Sequence, residues 1–104
     1  MQKARDILDK IFAGHPKDFN IRLWNGHLIE WSRQPKFILG FNDKWTFKRV
    51  LLRGDAFTAG KAFIESKVDI DGDIFEAIKL GDYLSTLKLR KREKLKLFAQ
   101  LMTI

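Results

Sequence analysis

The pair Asn25-Gly26 constrains this chain more than any other two residues. It sits between two β-prone runs, Phe19-Asn20-Ile21-Arg22-Leu23-Trp24 and His27-Leu28-Ile29-Glu30-Trp31. Both residue types tolerate positive φ, so the pair is the strongest short-range signal for a hairpin closed by a two-residue turn. Such a turn pairs Trp24 with His27, Leu23 with Leu28, Arg22 with Ile29 and Ile21 with Glu30. One face then carries Phe19, Ile21, Leu23 and Leu28, interrupted by Glu30. The other carries Trp24, Ile29 and Trp31 beside Arg22 and His27. Neither face is wholly polar, which predicts a sheet covered, at least in part, on both sides.

Around this hairpin the apolar spacing changes from two to three and four. Ala4, Ile7, Leu8, Ile11 and Phe12 predict a helix over residues 3–13, stopped by Gly14 and Pro16. Lys36 to Phe41 reads as a third strand. Asn42-Asp43 then opens a helix with Phe47, Val50 and Leu51 on one side, ending near Leu52 with Gly54 as its C-terminal cap. Asp55 is the expected cap of the next helix, where Ala56, Ala59 and Phe63 share a side with Phe57 and Ile64 nearby. Gly60 in its middle costs about 1 kcal/mol of helix propensity, which predicts close backbone packing there.

The stretch Val68-Asp69-Ile70-Asp71-Gly72-Asp73-Ile74-Phe75 has aspartates at alternate positions. A calcium loop of the EF-hand type needs glycine at its sixth position and a glutamate at its twelfth. Counted from Asp69, glycine comes fourth and Leu80 stands twelfth. The stretch reads instead as a short strand, a turn at Gly72, and Asp73 capping a helix that carries Ile74, Phe75, Ala77 and Ile78. A final helix is expected from about Leu84 to the end, with Leu84, Leu87, Leu95, Phe98 and Met102 along one stripe.

Composition narrows the function classes. At 104 residues, 45% hydrophobic and 32% charged, the chain has the length and make-up of one soluble globular domain. No cysteine is present, so disulfides and thiolate metal sites are excluded. No apolar run approaches the roughly 20 residues that span a bilayer, and the charged N-terminal stretch does not read as a secretion signal. His15 and His27 are isolated, Ser32, Ser66 and Ser85 lie in no nucleophile elbow, and there is no phosphate loop. The formal net charge is +7, and residues 88–96 supply +5 of it through Lys88, Arg90, Lys91, Arg92, Lys94 and Lys96 against Glu93.

The run from Leu52 to Phe75, with its Val68-Asp69-Ile70-Asp71-Gly72-Asp73 core and the preceding strand Ile21-Arg22-Leu23-Trp24-Asn25-Gly26, resembles the N-terminal domain of cyclopropane-fatty-acyl-phospholipid synthases. The shorter stretch Ala62 to Asp73 is also similar to the sterol-carrier-protein lipid-binding fold. The resemblance covers about residues 19–82. It departs at Ser66, where the pattern usually has glycine. It implies a family that adds a methylene from S-adenosylmethionine across cis double bonds of phospholipid acyl chains. The catalytic machinery of that family sits in a separate Rossmann-like methyltransferase domain downstream, whose cofactor loop is not among these residues.

The expected architecture is therefore α+β, a small antiparallel sheet packed with amphipathic helices. Residues 1–87 form a sterol-carrier-like domain and residues 88–104 a basic amphipathic helix, read as a linker to a catalytic domain. The expected role is non-catalytic, cytoplasmic and peripheral to the inner membrane, presenting phospholipid acyl chains to the methyltransferase domain. No cofactor is expected in the chain itself. Groove candidates are Leu39, Phe47, Leu51, Phe57, Phe63, Ile64, Phe75 and Ile78. Membrane-contact candidates are the six basic residues of 88–96, drawn to anionic lipid. Two alternatives use the same helix: self-association or protein docking through its apolar stripe, and single-stranded nucleic-acid binding. The last is the weaker, because the basic run contains no aromatic residue to stack on bases.

Overall fold

The computed structural model describes residues 2–54, 56–87 and 91–104. The chain runs α1 (Gln2–Ile11), β1 (Asn20–Arg22), β2 (Leu28–Ile29), β3 (Phe37–Phe41), α2 (Lys44–Arg53), α3 (Ala56–Ile64), β4 (Val68–Gly72), α4 (Ile74–Thr86) and α5 (Lys91–Met102). The fold is α+β, with one four-stranded sheet in the order β2-β1-β3-β4. The sheet is mixed rather than antiparallel throughout. β1 pairs antiparallel with β2 and parallel with β3, while β3 and β4 are antiparallel. The chain returns past β1 through the segment that contains β2, so β2 and β4 lie at the edges and β1 and β3 take the interior positions.

The hairpin register differs by one residue from the sequence expectation. Ile21 lies opposite Ile29 and Arg22 opposite Leu28. The Gly26 N–H donates to the Leu23 carbonyl at 2.9 Å, and the Leu23 N–H to the His27 carbonyl at 2.8 Å. Gly26 has φ +85°, and Asn25 is not among the described residues of positive φ. The loop is thus the three-residue kind, a turn followed by a left-handed glycine that forms a bulge. A one-residue slip moves every side chain to the other face. Phe19, Ile21, Leu23 and Ile29 become fully buried together, and Leu28 is exposed. The apolar face of the sheet packs under the helices; Arg22, Leu28, Gly40 and Asp69 lie on the reverse.

Asn20 is buried on the reverse side of β1, and its side chain holds the segment that follows β2. Its amide donates to the Ser32 carbonyl at 3.0 Å and accepts from the N–H groups of Trp31 and Ser32, both at 2.9 Å. This satisfies three backbone groups of a bend that has no ladder to satisfy them. Phe12, just beyond α1, joins three elements edge-on or tilted: its ring lies 5.5 Å from Phe19, 6.1 Å from Trp31 and 6.0 Å from Tyr83. Trp31 also donates from Nε1 to Asp9 Oδ1 at 3.0 Å, and Tyr83 donates its hydroxyl hydrogen to the Ile11 carbonyl at 2.8 Å. The polar tips of these half-buried aromatic side chains thus find partners, fixing α1 against the segment after β2 and against α4.

The helix ends follow local chemistry. Asp43 caps α2, accepting from Thr46 N–H and Thr46 Oγ1, both at 2.7 Å. Gly54 closes α2 in the left-handed conformation. Asp73 caps α4, accepting from the Phe75 and Glu76 N–H groups. The expected Asp55 cap lies outside the described residues. The long C-terminal helix is two helices: α4 ends at Thr86, with Leu84 buried in the core, and α5 begins anew at Lys91. That break resets the helical phase. α5 therefore buries Leu97 and Leu101, against α1 and α2, and leaves Leu95, Phe98 and Met102 exposed. Among the described residues, no helix is long and apolar enough to cross a membrane.

Candidate functional site

α3 and α4 both pack on β4, and the space between them over the sheet is an open groove of about 330 Å³. Its floor is Leu39 and Ile70, which face each other across β3 and β4. Ala59, Gly60 and Phe63 of α3 form one wall; Ile74, Ala77 and Ile78 of α4 form the other. Val50 and Leu51 close the side toward α2. Every described residue lining the groove is apolar or glycine except Asp82 at one end.

The groove follows from the residues at its walls. Small side chains at Ala59 and Ala77 keep the two helices from filling the space. At Gly60 a Cβ would meet nothing within 4 Å, so this glycine faces open space and not the close packing expected from the sequence. The volume falls within the range of small-molecule sites, about 300–1,000 Å³. A lining with almost no hydrogen-bonding groups suits an aliphatic chain, since a polar ligand would leave its own groups unsatisfied.

Of the eight groove candidates, the structure brings together Leu39, Leu51, Phe63, Ile64 and Ile78 as lining. Phe47 is fully buried in the core, its ring 5.2 Å from those of both Trp24 (tilted) and Phe41 (edge-on). Phe57 and Phe75 do not line the groove; they stand on the outer surfaces of α3 and α4, 80% and 75% exposed. Ile70, Val50 and the pair Ala59-Gly60 also line the groove and are not among the candidates that the sequence offers. Gly60, one turn from Ile64 along α3, carried the signal, as a gap in an apolar helix face.

Of the basic candidates, Lys91, Arg92, Lys94 and Lys96 lie exposed on α5; Lys88 and Arg90 fall outside the described residues. α2, packed beside α5, adds the exposed Arg49 and Arg53 and the half-buried Lys44, while its Lys48 is buried. Elsewhere several cations are paired at the surface, among them Arg5, Lys17 and Lys36. Lys36 Nζ lies 3.2 Å from Asp18 and 3.8 Å from Glu76, and the Asp18 hydrogen bond, with the charge of Glu76, raises its pKa. Among the described residues no group of three or more histidines and acids could hold a metal ion. His15 is wedged against Tyr83 and Phe19, with ring centroids 5.0 and 5.9 Å away. The chain matches no protein-family model, no curated protein and no solved structure.

Proposed function

We propose that this chain is a non-catalytic lipid-binding module that takes one acyl chain of a membrane phospholipid into the groove between α3 and α4. The observation that carries the reading is the groove's lining: apolar on its floor and both walls, with Asp82 alone at one end. Its mouth is flanked by exposed apolar side chains, Ile64 on α3 and Ile78 on α4, which gain by contact with hydrocarbon. The resemblance to the N-terminal domain of cyclopropane-fatty-acyl-phospholipid synthases supplies the ligand class and the consequence. A chain held here is presented to an S-adenosylmethionine-dependent methyltransferase domain at the cytoplasmic face of the inner membrane.

Binding of oleate, followed by displacement of a fluorescent long-chain fatty acid, tests the reading. Saturable one-site displacement is expected, lost in Gly60→Leu, which projects a side chain into the open space, and weakened in Ile78→Glu, which places a carboxylate at the mouth. Absence of displacement, or equal displacement by both variants and the parent chain, overturns it. Exposure of Phe57 and Phe75 favours a second reading, in which the outer faces of α3 and α4 dock a protein partner or a second copy. Concentration-dependent sedimentation abolished by Phe57→Ser and Phe75→Ser, with oleate binding intact, would select it for that surface.

A further inference from the structure

The net charge of the molecule belongs to two adjacent helices. α2 carries Lys44, Lys48, Arg49 and Arg53 and no acid. α5 carries Lys91, Arg92, Lys94 and Lys96 against Glu93. Four from α2 and a net three from α5 make seven, the whole formal net charge of the chain. The remaining residues balance to zero. These helices are distant in sequence but pack against each other, so the sequence shows one basic run where the fold builds a basic pole.

The pole also exposes apolar side chains in an ordered way. On α5, Leu95, Phe98 and Met102 stand at i, i+3 and i+7, the spacing of one helix face, and all three are exposed. Lys91 heads that row one turn earlier. By the same periodicity Lys94 flanks it on one side, and Arg92 and Lys96 on the other. On α2, Trp45 is 65% exposed and continues at i+4 and i+8 into the exposed Arg49 and Arg53. The Lys48 ammonium lies 5.0 Å from the Trp45 ring centroid. An apolar row bordered by lysine and arginine on one helix, with an exposed tryptophan against a lysine on the helix packed with it, is what an interfacial surface presents to a bilayer.

We infer that α2 and α5 together form a docking face for the surface of an anionic lipid bilayer, built from Trp45, Arg49, Arg53, the basic residues of α5 and its Leu95-Phe98-Met102 row. This surface is separate from the groove between α3 and α4 and does not depend on that groove holding a lipid. The basic side chains meet headgroup phosphates and anionic lipid. The row on α5 and the Trp45 ring enter the boundary between headgroups and acyl chains, while the lysine stems extend back to the charged layer. Charge brings the face to the membrane and is screened by salt; the apolar contact persists at higher salt. A nucleic-acid strand fits less well, because the rings of this face are single ones on separate helices, Trp45 and Phe98, and Leu95 and Met102 beside Phe98 offer no surface on which successive bases could stack.

Co-sedimentation of the full chain with phosphatidylcholine vesicles, with and without phosphatidylglycerol, tests this at low and high salt. Phosphatidylglycerol is expected to strengthen partitioning at least tenfold at low salt, with a blue shift of tryptophan emission that Trp45→Phe removes. Each basic residue at the surface contributes roughly a fivefold factor. Arg49→Glu with Arg53→Glu on α2, and Lys91, Arg92, Lys94 and Lys96→Glu on α5, are each expected to lower partitioning more than tenfold. Leu95, Phe98 and Met102→Ser should weaken the salt-resistant part. Gly60→Leu, which blocks the groove, is expected to keep the dependence of partitioning on phosphatidylglycerol and on salt. All replaced side chains but Gly60 project from the surface, and the corresponding glutamine variants serve if charge reversal lowers the melting temperature. The inference is overturned if neutral and anionic vesicles capture the chain equally, or if the α2 variant binds like the parent chain. It is also overturned if Gly60→Leu alone abolishes capture, or if a single-stranded DNA oligonucleotide binds more tightly than the anionic vesicles.

Discussion

The guanidinium of Arg22 reaches the carboxylate of Asp69 across Gly40, with Nη2 3.7 Å from Oδ2. The three residues form one row on the reverse face of the sheet: Arg22 pairs with Gly40 and Gly40 with Asp69. A Cβ at position 40 would collide with the Arg22 guanidinium, so glycine provides the path by which β1 and β4, not neighbours in the sheet, are joined.

This predicts a coupling that depends on a residue with no charge. A double-mutant cycle with Arg22→Ala and Asp69→Ala is expected to give about 0.2–1 kcal/mol at low salt, as for exposed ion pairs. In a Gly40→Ala background the cycle should fall to nothing. Arg22 is flexible and swings aside, so Gly40→Ala itself should cost less than about 1 kcal/mol in urea denaturation.

Two other positions turn on the sign of φ. Gly72 has φ +121°, and a Cβ there would lie 2.6 Å from the Lys36 carbonyl oxygen and 2.8 Å from Phe37 Cα. Both are backbone atoms that cannot turn away, so Gly72→Ala should destabilise by about 3 kcal/mol or more. Ser66 holds φ +60° without being glycine. Relieving that strain, Ser66→Gly should stabilise by up to about 1 kcal/mol. Chemical denaturation of the two variants should move in opposite directions from the parent chain.

Asp43 predicts a pH dependence. The hydrogen bonds it accepts from the Thr46 hydroxyl and N–H favour its charged form and hold its pKa below the ordinary 3.8. A carboxyl depressed by folding contributes stability that is present above its unfolded value and disappears as pH falls from there through the lower folded value. Asp43→Ala should therefore cost about 1 kcal/mol near neutral pH. The gap from the parent chain should narrow below pH 3.8. A gap that widens on acidification would contradict the assignment.

What the sequence makes legible divides along the range of the interactions. The caps at Asp43, Gly54 and Asp73 are set by contacts within one turn of helix, and the residues that make them are adjacent in the chain. The hairpin is legible as a hairpin but not in register. A left-handed Gly26 serves a two-residue and a three-residue loop alike, and the choice rests on burying Ile29 with Ile21. The parallel pairing of β1 with β3 and the break after Thr86 depend on contacts between distant segments, which leave no local mark. For the groove, the apolar residues of α3 and α4 are visible but the open side is not. Phe57 and Phe63 differ in which way the helix is turned, and that is decided by the sheet beneath.

Gly60 makes the sharpest test of that open side. In a packed helix interface, adding a methyl group to a glycine forces neighbours apart and costs about 1–3 kcal/mol. Here the position has helical backbone and no neighbour within 4 Å of a new Cβ. Gly60→Ala should therefore gain the difference in helix propensity, about 0.8–1 kcal/mol, and raise the midpoint of urea unfolding. Gly60→Leu should fold as well as Gly60→Ala, because its longer side chain enters the groove and covers apolar surface left bare at Leu39 and Ile70. Loss of stability in both variants would mean that α3 and α4 close against each other at this point, leaving no space for an acyl chain.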